Sequence, residues 1–131
     1  MKIIKKSKDI VQGLYREYKK NQVRSPQWQH IRKEFINKNP ICAACSSKLL
    51  LQVHHITPFH ENPSLELDEN NLITLCIYNL CHLKIGHGTS YKTYNPNILK
   101  HIKLIKEGKS LEEIRELAIK ECSLNDGPDK G

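Results

Sequence analysis

Four of the five cysteines form two closely spaced pairs, and this pattern restricts the possible folds more than any other feature of the chain. The pairs are Cys42-x-x-Cys45 and Cys76-x4-Cys81, with thirty residues between them. Two such pairs are typical of a tetrahedral zinc site in which each pair occupies one edge. A metal would compensate for a modest core, since hydrophobic residues make up 38% of the chain and aromatic residues 6%. We therefore expect a structural Zn²⁺ bound by four thiolates.

Other interpretations of the cysteines explain less. A disulfide-bonded secreted domain needs an oxidising compartment, and the basic start MKIIKKSKDIVQ lacks the apolar stretch of a secretory signal. A redox Cys-x-x-Cys would leave the second pair unexplained. That second pair encloses four residues, 77–80, so either the turn bulges around an intact zinc site or one cysteine is not a ligand. The fifth cysteine, Cys122, is expected to pack on the apolar side of the last helix.

Helices are predicted before the first cysteine pair. Residues 9–20 place apolar side chains on one helical face, although Gly13 weakens the helix. A second helix has Ser25 as its N-cap and Pro26 at its first position, and it ends at the Asn-Pro pair 39–40.

Two short strands and two further helices are predicted in the rest of the chain. The apolar runs 49–54 and 72–76 indicate buried strands. A helix is expected over 97–107, and Ser110 with Glu113 forms a capping box for a last helix. The pattern therefore predicts helices around a small β-containing centre.

The charge distribution is compatible with nucleic acid as a partner. The chain has 21 Lys and Arg against 14 Asp and Glu, a formal net charge of +7. Residues 1–60 hold twelve basic and three acidic residues, and residues 84–109 hold six lysines and one glutamate. Two basic segments suit contact with a phosphate backbone, although lysines also serve solubility. Lys100, Lys103 and Lys106 on the predicted helix are candidates for that contact or for a solvated face.

Three histidines lie close to the cysteine framework. His54 and His55 are adjacent on a predicted strand, and His82 directly follows Cys81. Neighbouring strand residues point to opposite faces, so His54 and His55 are expected to divide the work between binding a cation and deprotonating a water. The zinc site would bring His82 back towards His54.

These motifs together resemble the HNH endonuclease family. The resemblance rests on VHHITP at 53–58, NNLITLC at 70–76 and CH at 81–82. The lead-in from SPQW to CAAC and the later run from GHG to YNP are similar to zinc-containing members, among them small proteins of bacteriophages and bacteria. The resemblance covers about residues 25–97.

The resemblance implies a small α+β fold: a ββα-metal, treble-clef-like core with a zinc knuckle, wrapped by N- and C-terminal helices. It places His55 at the general base that activates water and Asn71 at the residue that fixes the base or binds the metal in some members. His54 and His82 match ligands of a catalytic divalent cation. His87 lies about 140° further round an α-helix than His82, so it becomes a third ligand only if the chain folds back there.

The resemblance also implies a function. We expect a metal-dependent endonuclease acting on DNA, with Mg²⁺ or Mn²⁺ as first candidates for the catalytic ion and Ni²⁺, Co²⁺ or Zn²⁺ also compatible with imidazole ligands. The alternative is a zinc knuckle that binds nucleic acid without cutting it. No apolar run approaches the ~20 residues of a membrane helix, so we expect a cytoplasmic protein. The resemblance to small proteins of bacteriophages and bacteria implies a bacterial cell or a phage-infected host.

We expect one domain over residues 1–122. Its core would be 25–97, with helical flanks 8–20 and 97–122, and 123–131 would form a disordered tail. The sequence does not indicate an oligomeric state.

Overall fold

The structure is a computed structural model that describes residues 24–124 of the 131. The predicted helix over 9–20 and residues 125–131 of the predicted tail lie outside this range. The single-domain boundary at 1–122 stays a prediction.

The predicted helices and strands of the described range are present, with shifted boundaries. The α-helices are α1 (Trp28–Lys38), α2 (Ile98–Lys106) and α3 (Leu111–Glu121). The strands are β1 (Leu51–His55), β2 (Leu72–Cys76), β3 (Thr93–Tyr94) and β4 (Ser123–Leu124). Two 3₁₀ turns lie between β1 and β2 (Pro63–Leu65 and Glu69–Asn71), and a π-helical turn follows β2 (His82–Gly86).

The caps explain where the helices begin. The Ser110 hydroxyl accepts a hydrogen bond from the Glu113 backbone amide at 3.1 Å, which confirms Ser110 as the N-cap of α3. The Glu113 carboxylate accepts from the Ser110 hydroxyl at 3.3 Å, so the second bond of the predicted capping box differs from the expected one to the backbone. At α1, by contrast, the Ser25 hydroxyl and carbonyl accept from the amides of Gln27 and Trp28, which makes a separate turn. The helix therefore starts at Trp28, two residues later than Pro26 predicts.

The strands β1 and β2 form an antiparallel hairpin at the centre of the fold. Their register pairs Leu51 with Cys76 and His55 with Leu72. All of β2 is buried, because α1 packs on one part of the hairpin and the π-helical turn on another. The prediction of a strand from Leu49 was wrong at its start: Leu49 is 56% exposed and Leu50 has a positive φ of 52°.

The C-terminal helices cover the cysteine side of this hairpin. Ile85 of the π-helical turn, Ile98 of α2 and Ile114 of α3 are fully buried in one cluster with the cysteines. The fold is thus the predicted small α+β arrangement with a four-cysteine knuckle. No helix within residues 24–124 has the length and apolar character needed to span a membrane.

The first two residues of the predicted tail form a short strand. Ser123 and Leu124 form β4, which lies antiparallel to β3. The predicted tail thus begins with a short strand at these two positions, and its disorder stays a prediction.

Candidate metal centre and active site

The four paired cysteines meet in one group, here called the cysteine cluster: Cys42, Cys45, Cys76 and Cys81. Their sulfur atoms all lie within 4.8 Å of one another, and the Cys45 and Cys76 sulfurs are 3.5 Å apart. Zn–S bonds of ~2.3 Å in a tetrahedron place sulfurs about 3.8 Å apart, so the donor set and its spacing fit zinc. All four thiols are free of disulfides.

The four-residue insertion in the second pair forms a bulged turn. The Leu80 amide donates to the Ile77 carbonyl at 2.8 Å, and Leu80 takes a positive φ of 60° that turns the chain back towards the cluster. Of the two alternatives left open by the spacing, the geometry supports the one in which all four cysteines are retained.

Hydrogen bonds prepare the cysteine cluster to hold negative charge. Asn79 donates from its backbone amide to the Cys76 sulfur and from its side chain to the Cys45 sulfur, at 3.4 and 3.2 Å. A hydrogen bond from the Cys81 thiol, helped by backbone amides, lowers the pKa of Cys42 to about 4. The same bond, together with burial, raises the pKa of Cys81. Thiolate is the form that binds zinc.

A second group of potential ligands, the histidine cluster, consists of His54, His82 and His87. Their ligand nitrogens lie within 4.8 Å of one another. The ring centroids form a nearly equilateral triangle with sides of 5.0, 4.8 and 4.9 Å. The structure therefore brings together the two predicted ligands, His54 and His82, and also His87, which the sequence left open.

Hydrogen bonds on the outer side of the rings fix which nitrogen faces the centre. The His87 Nδ1–H donates to the Thr93 carbonyl and the His82 Nδ1–H donates to the Gln52 side-chain oxygen, both at 2.7 Å. Both Nε2 atoms are then lone-pair acceptors, yet they are only 3.2 Å apart. Two lone pairs repel at this distance unless a cation lies between the rings, which is the arrangement of a metal site with its supporting hydrogen bonds.

The third ring completes this picture. His54 is only 2% exposed, and its Nε2 has no hydrogen-bond partner among the described residues. A buried polar atom without a partner is costly, and a metal would satisfy it. Gly86 permits the close approach of this ring, because a Cβ there would lie 3.1 Å from His54 Cε1.

The π-helical turn accounts for the position of His87. In an α-helix a residue five positions after His82 lies about 140° away from it. In a π-helical turn the hydrogen bonds run between residues i and i+5, which places those residues close together. The turn spans His82–Gly86, and its C-cap His87 donates its amide to the Leu83 carbonyl at 3.2 Å. His82 and His87 thus stand at the two ends of the turn with their imidazoles at the same centre.

Burial keeps all three rings of the histidine cluster neutral near pH 7. Desolvation is the first cause in each case: it lowers the pKa of His82 to about 4 and the pKa of His54 well below its usual value. The pKa of His87 is also lowered, against an opposing hydrogen bond to Thr93. Neutral imidazole is the form that ligates metals.

His55 points away from this cluster, as the alternation along β1 predicts. Its Nε2–H donates to the Glu66 carbonyl at 2.9 Å, which leaves Nδ1 as the basic nitrogen. Its ring lies 4.4 Å from the Trp28 ring, centroid to centroid. Burial is the first cause that lowers the pKa of His55, so the ring is an unprotonated base at neutral pH.

Asn71 holds the loop that supports His55. Its side-chain oxygen accepts from the Thr57 amide at 2.8 Å, and its Nδ2 donates to the carbonyls of Thr57 and Leu65 at 3.0 and 3.3 Å. Glu66 directly follows Leu65, and its backbone carbonyl accepts the hydrogen bond that orients His55. Of the two roles expected for Asn71, this geometry supports fixing the base, since the amide oxygen is already used by a backbone N–H.

Comparison with known proteins agrees with this geometry. Residues 37–88 match the family model of the HNH endonuclease. The matched segment is therefore similar to an HNH endonuclease domain. The matched segment contains the cysteine cluster, the histidine cluster, His55 and Asn71. No curated protein and no solved structure matches the chain.

A cavity of about 410 Å³ lies beside the histidine cluster. The histidine cluster and His55 both line it, together with Arg24, Arg32, Trp28 and Phe59. The Arg24 guanidinium lies 4.8 Å above the Phe59 ring and 3.5 Å from the Glu66 carboxylate. Neither arginine nor Glu66 was predicted as a site residue, because charge along the chain does not show which residues meet in the fold.

The predicted nucleic-acid contacts at Lys100, Lys103 and Lys106 lie elsewhere. All three side chains are exposed on α2, and none lines the cavity. Their role in binding stays a prediction.

Gln52 was also missed, although a signal for it exists. It stands two residues before His54 on β1, and residues two apart on a strand share a face. Cys122 lies outside the cysteine cluster and packs against Gly88, where a Cβ would come within 2.4 Å of its sulfur.

Proposed function

We propose that this HNH domain is a metal-dependent endonuclease that hydrolyses phosphodiester bonds of DNA. The observation that carries the proposal is the convergence of three neutral imidazoles on one centre. One of them, His54, is followed directly on strand β1 by the base, His55. Nothing in a zinc knuckle that only binds nucleic acid requires this second centre.

The histidine cluster would hold a divalent cation through three nitrogens. Such an ion supplies Lewis-acid stabilisation of the scissile phosphate and of the departing 3′-oxygen. Three protein ligands leave coordination positions open, as catalytic sites require, whereas the cysteine cluster supplies four and is closed.

His55 would act as the general base. Its Nδ1 takes a proton from a water molecule while the water oxygen forms a bond to phosphorus and the bond from phosphorus to the 3′-oxygen breaks. The Glu66 carbonyl holds the imidazole through Nε2 and stabilises the positive charge that develops on it. The products are a 5′-phosphate and a 3′-hydroxyl.

The ligand set favours a transition metal over Mg²⁺. Mg²⁺ prefers oxygen ligands, and the histidine cluster includes no carboxylate. Mn²⁺ remains a candidate, and Co²⁺, Ni²⁺ and Zn²⁺ bind imidazole more tightly than Mn²⁺ does. We therefore expect Mg²⁺ to support slower cleavage than Mn²⁺ or Co²⁺.

The cavity suggests how the substrate is held. Arg24 and Arg32 line it beside the metal ligands and would contact phosphates that flank the scissile one. Trp28 and Phe59 give this wall an aromatic surface. The basic composition suits a nucleic acid of either kind, and DNA is proposed on the resemblance to the HNH family alone.

Cleavage assays on supercoiled plasmid, linear duplex and single strands with a metal series test the proposal. The parent protein should cut at least one DNA form in Mn²⁺ or Co²⁺, and His82→Ala should lose cleavage together with metal affinity. The exposed histidine of α1 gives a matched control, His30→Ala, which should cleave like the parent. If no nucleic acid is cut with any metal while the parent still binds DNA, the non-catalytic knuckle is the correct function.

A further inference from the structure

The π-helical turn ends against a buried polar network from the C-terminal part of the chain. Asn95 is fully buried and contacts both carbonyls at the end of the turn: its backbone amide donates to Gly86 at 2.9 Å and its side-chain Nδ2 donates to Ile85 at 3.0 Å. The last carbonyls of a helical turn lack partners within the turn, so these two bonds close it.

The same side chain is itself held from the other side. Asn95 Nδ2 also donates to His101 Nδ1 at 2.7 Å, and the His101 Nε2–H donates to the Glu121 carboxylate at 2.6 Å. The Asn97 amide donates to the Asn95 side-chain oxygen at 2.9 Å, which fixes the orientation of the amide group. The chain of contacts runs from α3 through α2 to the turn.

We propose that Asn95 is a positioning residue for the metal centre: with His101 and Glu121 it holds residues 82–86 in the π conformation that brings His82 and His87 together. This inference rests on the proposed function of the histidine cluster. All three residues of the network lie outside the segment 37–88 that matches the family model, so the metal centre depends on chain that the family match does not include.

The hydrogen bonds of Asn95 favour the π-helical conformation of residues 82–86 over an α-helical one. Without the Asn95 side chain, the buried Ile85 carbonyl and the His101 Nδ1 both lose a hydrogen bond. The turn then gains by taking α-helical hydrogen bonds, which would carry His87 about 140° away from His82. The metal would be left with two imidazoles, and its affinity should fall at least as far as the ~10–100-fold that loss of a hydrogen-bond partner of a ligand costs.

The test is Co²⁺ titration of the zinc-loaded protein, followed by calorimetry and by the visible spectrum of the ion. Asn95→Ala should weaken Co²⁺ binding about 10–100-fold and change the spectrum in the same way as His87→Ala does. Ile102→Val, a substitution of a buried core residue on α2, is the matched control. It should lower the unfolding midpoint yet bind Co²⁺ like the parent.

A second pair of variants decides the matter if Asn95→Ala does not fold. Glu121→Leu removes the acceptor for His101 and should weaken Co²⁺ binding several-fold, and Glu121→Gln keeps an acceptor oxygen and should restore it. A folded Asn95→Ala, or Glu121→Leu, that binds Co²⁺ with the parent's affinity and spectrum would overturn the inference. If the parent itself shows no Co²⁺ site at the histidines, the proposed function fails instead.

Discussion

The cysteine and histidine clusters are two candidate metal sites of opposite character within one small chain. The cysteine cluster offers four sulfurs, which complete a tetrahedron, and three of its members are fully buried in the main core. The histidine cluster offers three nitrogens beside a cavity of about 410 Å³. The first cluster is closed, whereas the second adjoins open space.

The contrast extends to the surrounding hydrogen bonds. Those around the cysteines come from N–H donors such as Asn79 and stabilise negative charge on sulfur. Those around His82 and His87 are acceptors, Gln52 and the Thr93 carbonyl, which aim a lone pair at the centre. Donors around the sulfurs therefore favour thiolates, and acceptors around the imidazoles favour rings whose Nε2 lone pair is free to bind a cation.

Removing one thiolate should have the largest effect, and it tests whether the cysteine cluster is needed for folding. Cys45→Ser leaves three ligands in a site whose metal contributes on the order of 10–16 kcal/mol in zinc-finger peptides, so we expect an unfolded or aggregated protein. Circular dichroism and elemental analysis check this. Cys122→Ser, outside the cluster, is the control and should keep about one zinc per chain. A folded, zinc-free Cys45→Ser protein would contradict a structural role.

Removing the base should separate chemistry from metal binding. His55→Ala should lose about 10²–10⁴-fold in cleavage rate while keeping the parent's Co²⁺ affinity, because its ring faces away from the histidine cluster. Single-turnover kinetics beside calorimetry measure both quantities. Asn71→Ala should fall between this variant and the parent, since it acts on the base through the loop. If His55→Ala loses metal and His54→Ala does not, the two roles are exchanged.

Changing the outer partner of His82 sharpens the comparison further. Gln52→Leu removes the acceptor that fixes the ring and should weaken Co²⁺ binding about 10–100-fold without loss of zinc. Gln52→Glu retains an acceptor oxygen and should bind at least as tightly as the parent. Equal affinities for all three proteins would show that this hydrogen bond does not orient the ligand.

The smallest expected effect is a pH dependence of stability confined to the histidine site. The folded pKa of His82 is about 4, below the usual 6.5, so the unfolded chain takes up more protons between these values. Stability is therefore fully present above pH 6.5 and falls as the pH drops towards 4. With zinc kept and the histidine site metal-free, urea unfolding at pH 7 and pH 5 should show a loss that His82→Asn reduces by about 1–2 kcal/mol. An identical loss in both proteins would contradict the lowered pKa.

The sequence predicted the parts of the site that follow simple periodicities. Cysteine spacing identified the first cluster, and the alternation along a strand placed His54 and His55 on opposite faces. His87 stayed open because a choice between α- and π-helical hydrogen bonds is made by tertiary contacts such as those of Asn95. Arg24 and Glu66 were missed for a similar reason: they are 42 residues apart and meet only in the fold.

The most direct test of the two-site account is a chelator titration of the purified protein, with cleavage, zinc content and unfolding midpoint measured on the same samples. A closed thiolate site should release its metal far less readily than an open three-imidazole site. The account predicts that cleavage disappears first and returns with added Mn²⁺ or Co²⁺, while zinc content and unfolding midpoint stay unchanged. Loss of cleavage, zinc and folded structure together in a single step would contradict it.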